Sequence, residues 1–252
     1  MRFRFNKEIE FFLKKYLLPK SYLLRKRLER SINNIDENEI KLVKDFIKPG
    51  TDSIDIGVYR GVYSYEMSKY SKMVHSFEPN PVIFSDIQMN LKKIIKNIAL
   101  YNFALSNQNK VFDLKIPIRN PNFNKENYEE YYEMGRATIH ENNKIDNFEI
   151  FKINSKKIDE FDFKNEISFI KIDVEGHELE VIEGGKKTIA KNKPKLLVEI
   201  EEKHSKKKVS ESLAYINSLG YKSFYFENDM LKETSNIQDF TLNNNYIFIP
   251  IK

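Results

Sequence analysis

SIDIGVYRG, residues 53–61, decides the fold. A short apolar run reaches an acid and then two glycines, the pattern of a buried strand turning into a helix. Gly57 lets the backbone turn sharply, and Gly61 is expected to let a ligand approach the first turn of the next helix. That helix reads from about Gly61 to Lys72, and a second strand, MVHSFEP (73–79), follows it. Pro81 then suits the first turn of another helix. Further along, ISFIKID (167–173) precedes a helix from about His177 to Lys191, and KLLVEIE (195–201) precedes one that ends near Leu219. Strands alternating with helices in this way predict a doubly wound, mostly parallel α/β sheet of Rossmann-like type. In such sheets the ligand lies at the carboxyl ends of the strands.

The remaining segments fit around that frame. IALYNFAL (98–105), KVFDLKI (110–116) and FEIFKIN (148–154) read as strands. YKSFYFE (221–227) and NYIFIP (245–250), joined without a helix, should add an antiparallel edge. Residues 117–147, rich in Asn, Glu and Tyr without a clean period, read as an insertion or lid. Residues 1–48 form a helical extension, interrupted by Pro19 and closed by Pro49-Gly50. The chain thus divides into that extension and one domain over 49–252.

Composition removes several chemistries. The 252 residues contain no cysteine, so disulfides, thiolate metal sites and cysteine nucleophiles are excluded. This also agrees with a cytoplasmic setting. No run approaches the length of a membrane-spanning helix, and Lys and Glu break up the apolar residues of the opening MRFRFNKEIEFFLKKYLLPK, unlike a signal-peptide core. The net charge of +5 gathers at Arg25–Arg30 and Lys203–Lys208, most simply as solvated helix faces. Phe11, Phe12, Tyr16, Leu17 and Leu18 form an apolar face. Packing on its own domain or on a second copy is the stronger reading; peripheral docking on the inner face of a membrane, beside Lys14, Lys15 and Arg25, is the weaker.

Three groups at strand ends carry candidate chemistry. Asp55, at the end of the first strand, can accept from an ammonium group or an ordered water but would repel a pyrophosphate. Tyr59 stands where a dinucleotide-binding loop has its second glycine. Glu78, in Phe77-Glu78-Pro79-Asn80, stands where a carboxylate can grip both hydroxyls of a ribose. Phe169-Ile-Lys171-Ile-Asp173-Val-Glu175-Gly176-His177-Glu178 crowds ionisable groups at a third strand end, an arrangement that shifts pKa values.

DIGVYRGVYS (55–64), FEPNP (77–81), NFALS (102–106), FIKIDVEGHE (169–178) and LLVEIE (196–201) together resemble the FkbM family of methyltransferases, in order and in spacing. The resemblance implies a class I methyltransferase fold with a seven-stranded sheet and an antiparallel edge strand. It also implies S-adenosylmethionine as donor and a hydroxyl oxygen as the usual acceptor. Carried over, Asp55, Gly57 and Gly61 form the donor loop, Glu78 holds the ribose, and Asn102 and Ala104 lie near the adenine. Tyr59, Pro79 and Asn80 complete the expected cofactor-binding set. Asp173, with Glu175 and His177, faces the methyl group and the acceptor. Where the family's loop carries Ala-Asn, this chain has Val58-Tyr59.

Asp173 or His177 is the expected general base, with Glu199 and His204 as outside candidates. A divalent metal on Asp173 and Glu199 is compatible with the spacing but not required by it. The expected acceptor is a hydroxyl of a small molecule or of a glycan sugar, as in surface-polysaccharide synthesis. The leading alternative is a nucleic-acid ribose methyltransferase, which the basic runs invite, although a Glu-rich turn would repel phosphate. A catalytically idle donor-binding or partner-binding module is the alternative from another class.

Overall fold

The computed structural model describes residues 18–34, 37–140, 146–205, 207–237 and 239–251. Phe11, Phe12, Lys14, Lys15, Tyr16, Leu17 and Lys206 lie outside these. The first strand, β1 (Asp52–Ile56), is buried along its whole length, as is β7 (Ile167–Ile172). Parallel strands covered on both faces require this continuous burial. With β2 (Val74–Phe77), β3 (Ile98–Tyr101) and β8 (Lys195–Glu199) they form a parallel core in the order β8-β7-β1-β2-β3.

The sheet has eight strands, not the expected seven. β11 (Asn245–Pro250) runs antiparallel between β8 and β9 (Tyr221–Glu227), so the antiparallel strand is internal. The actual edge is β10 (Met230–Glu233), hairpinned onto β9 around Asn228 and Asp229, both in the left-handed region. The run 98–105 is two strands rather than one. β3 ends at Tyr101, and β4 (Ala104–Leu105) joins a separate three-stranded sheet with β6 (Phe148–Lys156) and β5 (Val111–Pro117).

Helices cover both faces. α1 (Lys20–Asn34) sinks Leu28 fully and packs on α3 (Val62–Met67) and α4 (Pro81–Ile94), so its apolar side is spent on its own domain. Its basic residues face outward, with Arg25 and Lys26 paired to Glu29. The short α2 (Val43–Phe46) leads into β1. Asn80 caps α4 by accepting from the Val82 N–H, with Pro81 in the first turn. The helix expected after β7 is two, α6 (Glu178–Gly184) and α7 (Lys186–Asn192), separated at Gly185. The one expected after β8 is likewise two, α8 (Glu202–Ser205) and α9 (Val209–Ser218).

Residues 117–140 are built, not shapeless. They carry α5 (Tyr128–Tyr131) and a 3₁₀ turn, Met134–Arg136, and bridge β5 at Lys115–Thr138. Tyr131, Tyr132, Met134 and Ile139 pack with Ile83, Leu114 and Ile153 in a third apolar cluster. This cluster holds the flap over the carboxyl ends of β1 and β2.

Candidate active site

A cleft of about 700 Å³, its open mouth included, lies at the carboxyl ends of β1, β2 and β7 beneath the flap. Gly57, Tyr59, Glu78, Pro79, Ala104, Asp173, Glu175 and His177 all line it, and Met134 and Ile139 close it from the flap.

The glycine loop works by backbone approach. A Cβ on Gly57, whose φ is +84°, would stand 1.8 Å from the Asp173 carbonyl oxygen, so only glycine lets the β1 and β7 loops meet. Gly61 has a different task from the one expected. The space a side chain would fill there holds Leu91 of α4, whose Cδ1 would be 2.6 Å from the added carbon. It serves helix packing and does not line the cleft. Tyr59 holds a left-handed φ of 48°, a conformation that Asn adopts more readily. Its ring borders Gly135 of the flap, and its N–H donates to Glu78.

Glu78 is buried and held symmetrically. Tyr59 N–H donates to one carboxyl oxygen at 2.8 Å, and Asn80 N–H to the other at 2.9 Å. Burial nevertheless dominates and pushes its pKa up to about 7. Each oxygen keeps a further lone pair. Asn102 donates to the Glu78 and Pro79 carbonyls at 2.8 and 3.2 Å, so it braces this turn and does not line the cleft. The Asn80 side chain is likewise engaged, in its cap and against Met134 Sδ. Asp55 is fully buried behind the loop, accepting from Ser64 Oγ at 2.5 Å, and burial raises its pKa. Its other oxygen has no partner among the described residues.

The opposite wall is a crowd of charge. Lys171 Nζ sits 2.8 Å from Asp173 Oδ2 and 3.2 Å from the Gly57 carbonyl. Burial is the largest single influence on Asp173 and opposes its ionisation, but Lys171, the hydrogen bond from Glu199 and His204 together hold the carboxyl below its ordinary value. Glu199 is pushed the other way, to about 10, by burial and by Asp173, so this pair carries one proton, on Glu199. Glu175, at φ 55°, is raised to about 8 by burial and then by Asp173, Glu178 and Glu201. Its Oε2 is buried without a hydrogen bond among the described residues, and His204 Nδ1 stands 3.1 Å away. Oxygens of Asp173, Glu175 and Glu199 lie within 4.8 Å of one another, a set suited to a hard cation. Lys171 already supplies positive charge there, and the Glu199 proton would have to leave.

His177 lines the cleft with one nitrogen hydrogen-bonded and the other beyond hydrogen-bond reach of its nearest acid. Nε2 is 2.9 Å from Ser106 Oγ and Nδ1 is 3.8 Å from Glu180. Burial lowers its pKa to about 4, so it is neutral at pH 7. Sequence reasoning missed the flap residues Met134 and Ile139, whose segment has no period, and the pairing of Lys171 with the Gly57 carbonyl.

A parallel core with a glycine loop after its first strand and a carboxylate after its second defines a doubly wound α/β fold. A family model for the methyltransferase FkbM domain matches residues 55–223, and the chain belongs to that family. Among solved structures it is similar to the methyltransferase FkbM of Methylobacillus flagellatus, at 14% identity and a TM-score of 0.49, covering 94% of this chain and 57% of that one. The chain therefore spans little more than half the length of that protein. It is also similar to an rRNA methylase of Streptococcus thermophilus (12%, TM-score 0.45, covering 85% and 95%). A Streptococcus mutans protein in complex with SAH gives 10% and 0.46, covering 85% and 96%. No curated protein matches the chain. Among the described residues no helix is long and apolar enough to cross a membrane.

Proposed function

We propose that the protein transfers a methyl group from S-adenosylmethionine to a hydroxyl of a small molecule or glycan sugar. One observation carries the donor reading: the buried Glu78 carboxylate at the cleft wall, fixed by two N–H donors with a lone pair left on each oxygen. Those two lone pairs suit the two hydroxyls of a ribose. Pro79 and Ala104 provide apolar walls for the base, and Gly57 admits the methionine portion.

A hydroxyl needs to lose its proton as the methyl arrives, and a base works best with a pKa near the working pH. Glu175 fits that role better than Asp173 or His177. Asp173 is committed to Lys171 and His177 to Ser106, whereas Glu175 presents a buried oxygen with no hydrogen bond among the described residues and with His204 Nδ1 beside it at 3.1 Å. A sulfonium placed beside it would favour its ionised form. Asp173 and Lys171 then fix the electrostatics of the reacting end. No step requires a metal.

The ionised Asp173 and Glu201 of the acidic turn disfavour a polynucleotide, whose phosphates would meet them. Calorimetric titration with S-adenosylhomocysteine, with NAD as comparison, tests the donor. Micromolar binding of the first and none of the second is expected. No binding of S-adenosylhomocysteine by the folded protein would overturn the reading.

A further inference from the structure

Behind Tyr59 and Met134, which it shares with the cleft, lies a second, open pocket between α1, α4 and the flap, of about 460 Å³ with its mouth included. Three arginines from three separate segments line it: Arg27 of α1, Arg60 of the glycine loop and Arg119 of the flap. Leu24 and Ile83 provide apolar wall beside them. Glu129 of α5 places one carboxylate oxygen 2.8 Å from Arg27 and 3.8 Å from Arg60. Arg119 has no side-chain hydrogen bond or ion pair among the described residues. Asp86, the other acid of the lining, is engaged by Tyr128 and Asn90.

We propose that this cavity is an oxyanion subsite that takes a phosphate or diphosphate carried by the acceptor. This rests on the proposed methyltransferase reading only for what the anion belongs to. The three guanidinium groups outnumber the two carboxylates of the lining, and among the described residues Glu129 alone pairs with them, serving two. The third is left for a ligand. A single carboxylate would merely replace Glu129, whereas a phosphate offers more charge and oxygens for several planar forks. Glu129 is then a stand-in for the ligand, displaced when phosphate enters.

The position gives the acceptor a polarity. Its phosphate would lie at the arginine end, away from the acidic turn that repels it, with its hydroxyl toward Glu175 and Asp173. Arg27 comes from the helix before the matched family domain, and Arg119 from the irregular flap. Both are segments that a fold-level pattern leaves free to set substrate choice.

Calorimetry with inorganic pyrophosphate and with UDP tests this at fixed ionic strength, on wild type, Arg119→Ala, Glu129→Gln and Lys92→Ala. The last removes one exposed charge at the far end of α4. Binding of either probe is expected, weakened about ten-fold in Arg119→Ala, tightened in Glu129→Gln, and unchanged in Lys92→Ala. A tighter UDP would name a nucleotide-linked acceptor, and equal affinity a bare phosphate ester. No binding of either probe, or equal weakening in Arg119→Ala and Lys92→Ala, would overturn the subsite. S-adenosylhomocysteine binding, measured on the same samples, should be unaffected in Arg119→Ala. Its absence from the wild type, with pyrophosphate still bound, would sink the methyltransferase reading and leave the subsite standing.

Discussion

Glu78 and Glu175 face one cleft from opposite walls, and the same side chain is prepared for different work. Both are raised by burial, to about 7 and about 8. Glu78 has each oxygen anchored by a backbone N–H, so its position is fixed and its remaining lone pairs point where two hydroxyls can meet them. Glu175 has a buried oxygen without a hydrogen bond and acidic neighbours that resist its ionisation. A carboxylate held by donors is suited to grip. One with a histidine nitrogen beside it, among other acids that resist its ionisation, is suited to take a proton.

The largest way to break this comparison is to separate the walls. Gly57→Ala forces a Cβ into the Asp173 carbonyl at a left-handed φ. It should cost about 3 kcal/mol or more and abolish donor binding, read by thermal melts and titration. Next comes Glu175→Gln, expected to slow methyl transfer about a hundred-fold or more. In the wild type the rate should rise with pH toward about 8, and the variant should lose that rise. An unchanged rate and profile would move the base elsewhere.

Stability should also depend on pH in a defined window. Glu78, Glu175 and Glu178 keep their protons to about 7, 8 and 7 when folded, against 4.5 as the ordinary value. Above 4.5 the folded chain therefore binds more protons than the unfolded one, and stability falls as pH rises. His177, lowered to about 4, acts the opposite way, but only below its ordinary 6.5. From pH 6.5 to 8 the carboxyl groups dominate, Glu199, raised to about 10, among them, and the melting temperature should fall by the equivalent of about 3–5 kcal/mol. Glu78→Gln should flatten that decline, and a flat wild-type profile would contradict the pKa assignment. The smallest effect is expected from Asn102→Ala, about 1 kcal/mol through the brace on the Glu78 turn, with the base pocket intact.

The two walls also differ in how legible they were. β1, β2 and β7 announce themselves because strands buried on both faces need unbroken apolar runs, and the acids follow directly at their ends. A glycine's sequence position does not say which neighbour claims its side-chain space; at Gly61 Leu91 does. Asn102 was placed near the adenine, yet its amide turns to two carbonyls that sequence cannot locate. The flap stayed unread because α5 is a single turn and its contacts, such as Lys115–Thr138, are long-range pairings without local periodicity. The choice among Asp173, Glu175 and His177 depended on partners from other strands and loops, Lys171, Ser106 and His204, that only the fold brings together.

The most direct measurement is a paired titration of Glu78→Gln and Glu175→Gln with S-adenosylhomocysteine, each variant first shown to be folded by circular dichroism. The ligand has no sulfonium charge, so Glu175 should matter little to it. Glu78→Gln is expected to weaken binding ten-fold or more, by about 1.4 kcal/mol or more, while Glu175→Gln stays near wild type. Equal binding by Glu78→Gln and wild type, or the reverse ranking of the two variants, would contradict the division of labour between the walls.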